Sequence, residues 1–158
     1  MTTYLRPISD DELRTWLIAQ REDYIEQRIQ TGERPDEARR IADEQYAVLF
    51  PGGQPARGHV LSRLMDDDTP VGWLWIGPRS PDHPEAFWVW EVVVDEQHRG
   101  RGLGRAAMLL AEEQARAAGA VELGLNVFGY NTVARALYES LAYETVSMQM
   151  RKQLSAQA

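Results

Sequence analysis

The segment AFWVWEVVV, Ala86–Val94, carries apolar side chains on both of its alternating faces, with Glu91 as its single charge. A strand with one wet face alternates apolar and polar residues, so a strand apolar on both faces must be covered on both. The chain therefore needs a sheet sandwiched between other layers, which excludes an all-helical bundle or an isolated hairpin. With 158 residues and 44% hydrophobic content, one domain spanning residues 1–158 can build that core.

The flanking pattern supplies the other layers. Residues 3–8 (TYLRPI) alternate as a first strand, and Ser9 or Asp10 caps a helix reaching about Thr31. Pro35 opens a second helix, with Ala38, Ile41, Ala42 and Leu49 as its buried stripe and PGGQP ending it. GHVLSRLMD and PVGWLWIG flank DDTP as a hairpin, and Asp66–Asp68 reads as its solvated turn rather than a cation site. A proline-rich loop then leads into Ala86–Val94. Leu103, Ala106, Ala107, Leu110, Gln114 and Ala118 predict one helical face, stopped by Gly119. VELGLNV (121–127) is a further strand, Asn131 or Thr132 caps a last helix, and YETVSMQMRKQL ends the chain as a strand.

Composition narrows the chemistry. A net charge of -7 argues against general nucleic-acid or anionic-membrane partners. With no cysteine there is no disulfide, thiolate metal site or cysteine nucleophile. His59, His83 and His98 are scattered without an H-E-x-x-H, so no metal is expected. The first residues are charged too early for a secretory signal, and no apolar run reaches membrane-spanning length, so the expected location is cytoplasmic.

Between the doubly apolar strand and the third helix stands DEQHRGRGLGRAA, with glycine at 100, 102 and 104. Helix-start amides lack intrahelical partners and sit at the positive end of the macrodipole, so they favour an anion. Glycines there let the backbone approach phosphate oxygens, and Arg99, Arg101 and Arg105 add cationic donors. The competing reading is a glycine-rich turn with solvated arginines. A P-loop lacks its lysine and hydroxyl here, and a G-x-G-x-x-G begun at Gly100 fails at Arg105.

Gln97-x-x-Gly100-x-Gly102 does fit a pattern. Together with NTVARALYESLAY (131–143), it resembles the GNAT superfamily of acyl-CoA-dependent N-acyltransferases, whose signatures are Q/R-x-x-G-x-G/A and N-x-x-A-x-x-L-Y-x-x-x-G-F/Y. The resemblance covers nearly the whole chain and implies an α/β (α+β) fold. Its sheet would be mixed and mostly antiparallel, flanked by helices, with a splayed parallel strand pair forming a coenzyme A gap. It further implies acetyl-CoA as acyl-donor co-substrate. Main-chain groups of Val92 and Val94 would pair with the pantetheine arm. Backbone amides of Arg99, Gly100, Arg101, Gly102, Leu103, Gly104 and Arg105 would hold the pyrophosphate, and Asn131 would steady the arm. Ala142 departs from the pattern, standing where glycine is usual.

With no cysteine and no G-x-S-x-G elbow, direct attack of an amine on the thioester is the simple scheme. Glu91 is the candidate base, sharing a strand face with Val89 and Val93, where burial raises a carboxyl pKa. Its alternative is a structural pair with an arginine such as Arg63. Tyr138 is the candidate acid at the family's tyrosine position, donating to the coenzyme sulfur. Its alternative is a core tyrosine with a satisfied hydroxyl. Asn126, at a strand end, either orients the acceptor or caps the strand. Trp73 with Trp75 and Trp88 with Trp90 form same-face pairs, as core or as walls of an acceptor pocket. His98 is read as exposed beside the cradle. The first two helices and the 78–84 loop are expected to choose the acceptor, with Glu22, Asp23, Glu26, Asp43 and Glu44 attracting a basic one or forming a solvated face.

The reading is therefore an N-acetyltransferase acting on a primary amine of a small molecule or peptide; the oligomeric state stays open, with a homodimer through a strand edge suggested by analogy alone. A non-catalytic acyl-CoA sensor is the alternative. An RNA-contact module, prompted by HRGRGLGR, conflicts with the acidic charge.

Overall fold

The computed structural model of the chain describes residues 2–156. The chain divides into two compact units, Met1–Leu125 and Asn126–Ala158. The first contains β1 (Thr3–Pro7), α1 (Asp10–Gln30), α2 (Pro35–Leu49), β2 (Val60–Asp66), β3 (Thr69–Pro78), β4 (Ala86–Val94), α3 (Leu103–Ala117) and β5 (Glu122–Gly124).

Local chemistry sets the helix starts. Ser9 Oγ accepts the Glu12 N–H and Glu12 Oε1 accepts the Ser9 N–H, each at 3.1 Å, which makes a full capping box for α1. Arg6 holds both Glu12 oxygens at 3.0 Å, and these bonds bring the carboxyl pKa down to about 2. Pro35 occupies the first turn of α2, where its missing N–H costs nothing.

The five strands lie in the order β1-β2-β3-β4-β5. Every neighbouring pair is antiparallel except β4 and β5, which run parallel with Ala86–Trp88 opposite Glu122–Gly124. One sheet face meets α1 and α2, where Leu13, Trp16, Leu49 and Phe50 pack on Leu61 and Trp75. The other meets α3, where Leu103 and Ala107 pack on Leu64 and Val71, with Val92 and Val94 alongside. Ala86–Val94 is thus covered on both sides, as its sequence requires.

A bulge in β4 changes the face assignments. Trp75 lies opposite Glu91 while the next β3 residue, Ile76, lies opposite Val89, so Trp90 is an extra residue. Val89 consequently points to the α3 side, away from Glu91, and only Val93 shares the expected face with it. The buried stripe of α3 is also rotated from the expected one: it is Leu103, Ala107, Met108, Ala111 and Ala115, and Ala118 is exposed.

The second unit holds α4 (Thr132–Ser140). Residues 143–156 form no strand, contrary to the alternation of YETVSMQMRKQL, and Val146 and Met150 are exposed. Alternation specifies which faces a strand would have but supplies no partner for its backbone. β5 likewise stops at Gly124, so Asn126 lies outside the strand it was expected to end.

Candidate active site

β4 runs past its parallel neighbour. β5 ends level with Trp88, which leaves the outer edge of residues 89–94 without a strand partner among the described residues. The Asp95 N–H donates to the Val71 carbonyl at 2.8 Å, which sets the phase of the β3–β4 ladder. In an antiparallel ladder, bonded and non-bonded pairs alternate. Asp95, Val93 and Glu91 therefore direct their main-chain groups toward β3, and Val94 and Val92 direct theirs to the open edge. The Val94 carbonyl accepts from Arg99 Nε at 3.0 Å.

Beyond the strand, Gly100 and Gly102 take φ of 77° and 79°. A Cβ at either would meet nothing within 4 Å, so their requirement is the left-handed backbone and not space. Gly102 is the N-cap residue of α3 and offers no side-chain cap. The first intrahelical bond there is Ala106 N–H to Gly102 O, so the amides of Leu103 and Gly104 precede it at the helix mouth. Gly104 lies inside the first helical turn. These amides and the positive macrodipole end suit a phosphate group.

The arginines differ in their engagement. Arg101 donates to Asp66 Oδ2 at 2.7 Å and approaches His98 Nδ1 at 3.3 Å. Asp66 is 7% exposed, so the first residue of the expected solvated turn is instead a buried anchor for the glycine loop. Asp67 and Asp68 make the turn itself, Asp67 with φ of 52°.

Glu91 lies on the α1/α2 face. Burial pushes its carboxyl up to about 7, opposed by a hydrogen bond from Gln20 Nε2 to Oε1 at 3.1 Å and reinforced by the charge of Asp23. Arg63 is not its partner: the guanidinium stacks on Trp73 at 4.1 Å and pairs with Asp95 at 3.5 Å. Gln20 escaped the sequence reading because it stands 71 residues away in no motif. Tyr46 of α2 also faces this region, its phenol pushed up to about 12 by burial first and then by the Glu91 charge. Trp90 stacks on Trp75 at 5.4 Å, whose Nε1 donates to His59 Nδ1 at 3.0 Å, so these indoles are core walls beside Glu91.

Of the acidic residues expected to draw a basic acceptor, Asp43 and Glu22 pair with Arg21, and Glu44 pairs with Arg40. Asp23 and Glu26 make no ion pair among the described residues. A shallow groove of about 190 Å³ lined by Leu17, Ile18, Arg21, Tyr46 and Phe50 lies between α1 and α2. A cleft of about 300 Å³ near Leu13, His59, Ser62 and Gln114 includes neither Glu91 nor the glycine loop.

In the second unit, Asn131 Oδ1 caps α4 by accepting the Ala134 N–H at 3.2 Å. Burial pushes the Tyr138 phenol up, and it makes no hydrogen bond among the described residues. The helix ends in a full Schellman turn: Tyr143 N–H to Tyr138 O, Ala142 N–H to Glu139 O, with Tyr138 and Tyr143 rings in T-shaped contact at 6.0 Å. Ala142 takes the left-handed φ of 69° that the family pattern gives to glycine.

Residues 11–143 match the model of the acetyltransferase (GNAT) family. The chain is 32% identical over 158 residues to an uncharacterized N-acetyltransferase, YycN, of Bacillus subtilis (strain 168), covering 98% of this chain and 100% of that protein. The crystal structure of YycN superposes with a TM-score of 0.82 at 30% identity, over 98% of this chain and 100% of that one. The structure of AAC(6')-Iy in complex with a bisubstrate analogue, CoA-S-monomethyl-acetylneamine, shares the fold at a TM-score of 0.60 and 14% identity, over 99% of this chain and 100% of that one. The mixed sheet with its one parallel pair, the glycine loop ahead of α3 and these likenesses agree: the chain belongs to the GNAT family of acetyltransferases.

Proposed function

We propose that residues 1–158 are a single acetyltransferase domain that transfers an acetyl group from acetyl-CoA directly to a primary amine of a small molecule or peptide. The observation that carries this reading is the arrangement along β4: outward-facing peptide groups at Val92 and Val94, a helix-mouth anion site after them, and a carboxyl titrating near neutrality beside them. The residues present fit the coenzyme. The amides of residues 99–105 would hold its pyrophosphate, the edge of β4 its pantetheine arm, and Asn131 would steady that arm. Acetyl-CoA supplies an activated acyl carbon.

Glu91 accepts the proton that the acceptor ammonium must lose before its free amine attacks the thioester, directly or through water, and its pKa of about 7 suits that exchange near neutrality. The Tyr138 phenol, protonated at neutral pH like any tyrosine and pushed further up by burial, donates to the departing thiolate. Asp23 and Glu26, without ion pairs among the described residues, favour a cationic acceptor approaching along α1.

The experiment is release of coenzyme A thiol from acetyl-CoA across polyamines, amino acids, aminoglycosides and peptide N-termini. Acceptor-dependent release is expected. Coenzyme binding by calorimetry without release for any amine would support a sensor instead and overturn the reading.

A further inference from the structure

Glu91 is held from outside its own strand. Gln20, on the third turn of α1, reaches across the sheet face and gives its Nε2 proton to Glu91 Oε1 at 3.1 Å. The second oxygen, Oε2, makes no hydrogen bond among the described residues and is not among the enclosed polar atoms. A carboxylate with one oxygen fixed has a defined plane and a defined direction for its remaining lone pairs. We propose that Gln20 is a positioning residue, its amide holding Oε1 so that Oε2 is the atom that takes the proton from the acceptor amine. This deepens the assignment of Glu91 as base and rests on it.

The groups surrounding the carboxyl make the proposal separable from simple packing. From α1 come Gln20 and Asp23, from α2 comes Tyr46, and across the ladder on β3 stands Trp75, which does not titrate. Arg63 of β2, on the same sheet face, is engaged by Trp73 and Asp95. Gln20 and Asp23 lie within one turn of the same helix but act on Glu91 in opposite senses. The amide donates to the ionised form and favours it; the neighbouring carboxylate repels it.

The test is the pH profile of kcat/KM in four proteins: wild type, Gln20→Ala, Gln20→Glu and Asp23→Asn, with Glu91→Gln as control. Loss of the Gln20 donor is expected to move the ascending limb about one unit to higher pH, making kcat/KM about tenfold lower at pH 6. Gln20→Glu moves it further in the same direction, Asp23→Asn moves it to lower pH, and the KM for acetyl-CoA stays constant in all three. Carboxyl-detected NMR titration of Glu91 follows the same order without turnover. An unmoved limb in both Gln20 variants, with Glu91→Gln abolishing it, overturns the role of Gln20 and leaves Glu91 as base. A limb that survives in Glu91→Gln overturns both.

Discussion

Arg101 and Asp66 form an ion pair at 2.7 Å that joins the glycine loop to the β2–β3 hairpin. Its two ends are unequally placed, the Arg101 side chain being 43% exposed and that of Asp66 8%. Removing the exposed cation strands a buried carboxylate, whereas removing the buried carboxylate leaves an arginine whose exposed side chain water solvates. Arg101→Met is therefore expected to cost about 3 kcal/mol and Asp66→Asn clearly less. Denaturant titration of the two variants measures the difference. Equal losses would mean that the pair is not the anchor.

Glu91 makes stability depend on pH with a definite sign. Its carboxyl titrates at about 7 in the folded protein, against about 4.3 in an unfolded chain. The folded state resists its ionisation, so the stability is fully present below the unfolded value and is lost as pH rises through about 7. Glu91→Gln carries no such penalty. Relative to wild type, the variant should gain on the order of 2 kcal/mol on going from pH 5 to pH 8. Urea unfolding at those two values decides it, and a constant difference would refute the raised titration.

Ala142 completes a Schellman turn at a φ of 69°, which an L-residue adopts at a cost. Ala142→Gly should relieve about 1 kcal/mol and raise Tm by roughly 2–4 °C. Calorimetric melting tests this, and an unchanged or lowered Tm would show that the turn is not strained.

The glycines separate by cause. A Cβ on Gly72 would come within 2.1 Å of the Val93 carbonyl oxygen, while one on Gly102 meets open space at an unfavourable φ. Gly102→Ala should cost about 1–2 kcal/mol and raise the KM for acetyl-CoA. Gly72→Ala should lower Tm far more, because β3 and β4 must separate locally. Melting curves with coenzyme titrations distinguish the two.

Tyr138→Phe should depress the chemical step while leaving Tm within a degree or two, because the phenol makes no hydrogen bond among the described residues for folding to lose. Single-turnover measurements alongside melting curves test it. A fall in Tm with unchanged turnover would make the ring structural.

Legibility in the sequence followed the range of the determining interaction. β4 occupies the stretch expected of it because burial on both faces leaves an unbroken apolar run. Ser9 and Pro35 mark their helix starts through bonds made within a few residues. The bulge at Trp90 leaves no such mark, because an inserted residue in a run apolar on both faces does not disturb any alternation. The face shared by Glu91 and Val89 was therefore misread. The roles of Asp66 and Gln20 leave no local mark for another reason: each is defined by a partner 35 or 71 residues away. The C-terminal alternation at Val146, Met148 and Met150 is a true periodicity, but a ladder also needs a second strand.

Past the bulge, the regular alternation of β4 lets one short segment serve three directions at once. Its carboxyl looks to one layer, Val92 and Val94 root in the other, and the peptide groups of those same two valines look sideways. Whatever lies along that sideways edge is read by atoms every amino acid possesses. Replacements at 92 or 94 should thus register as changes in folding, and replacements on α1 and α2 as changes in acceptor preference. On the proposed function, drift in the choice of amine can proceed while the grip on the donor stays as it is.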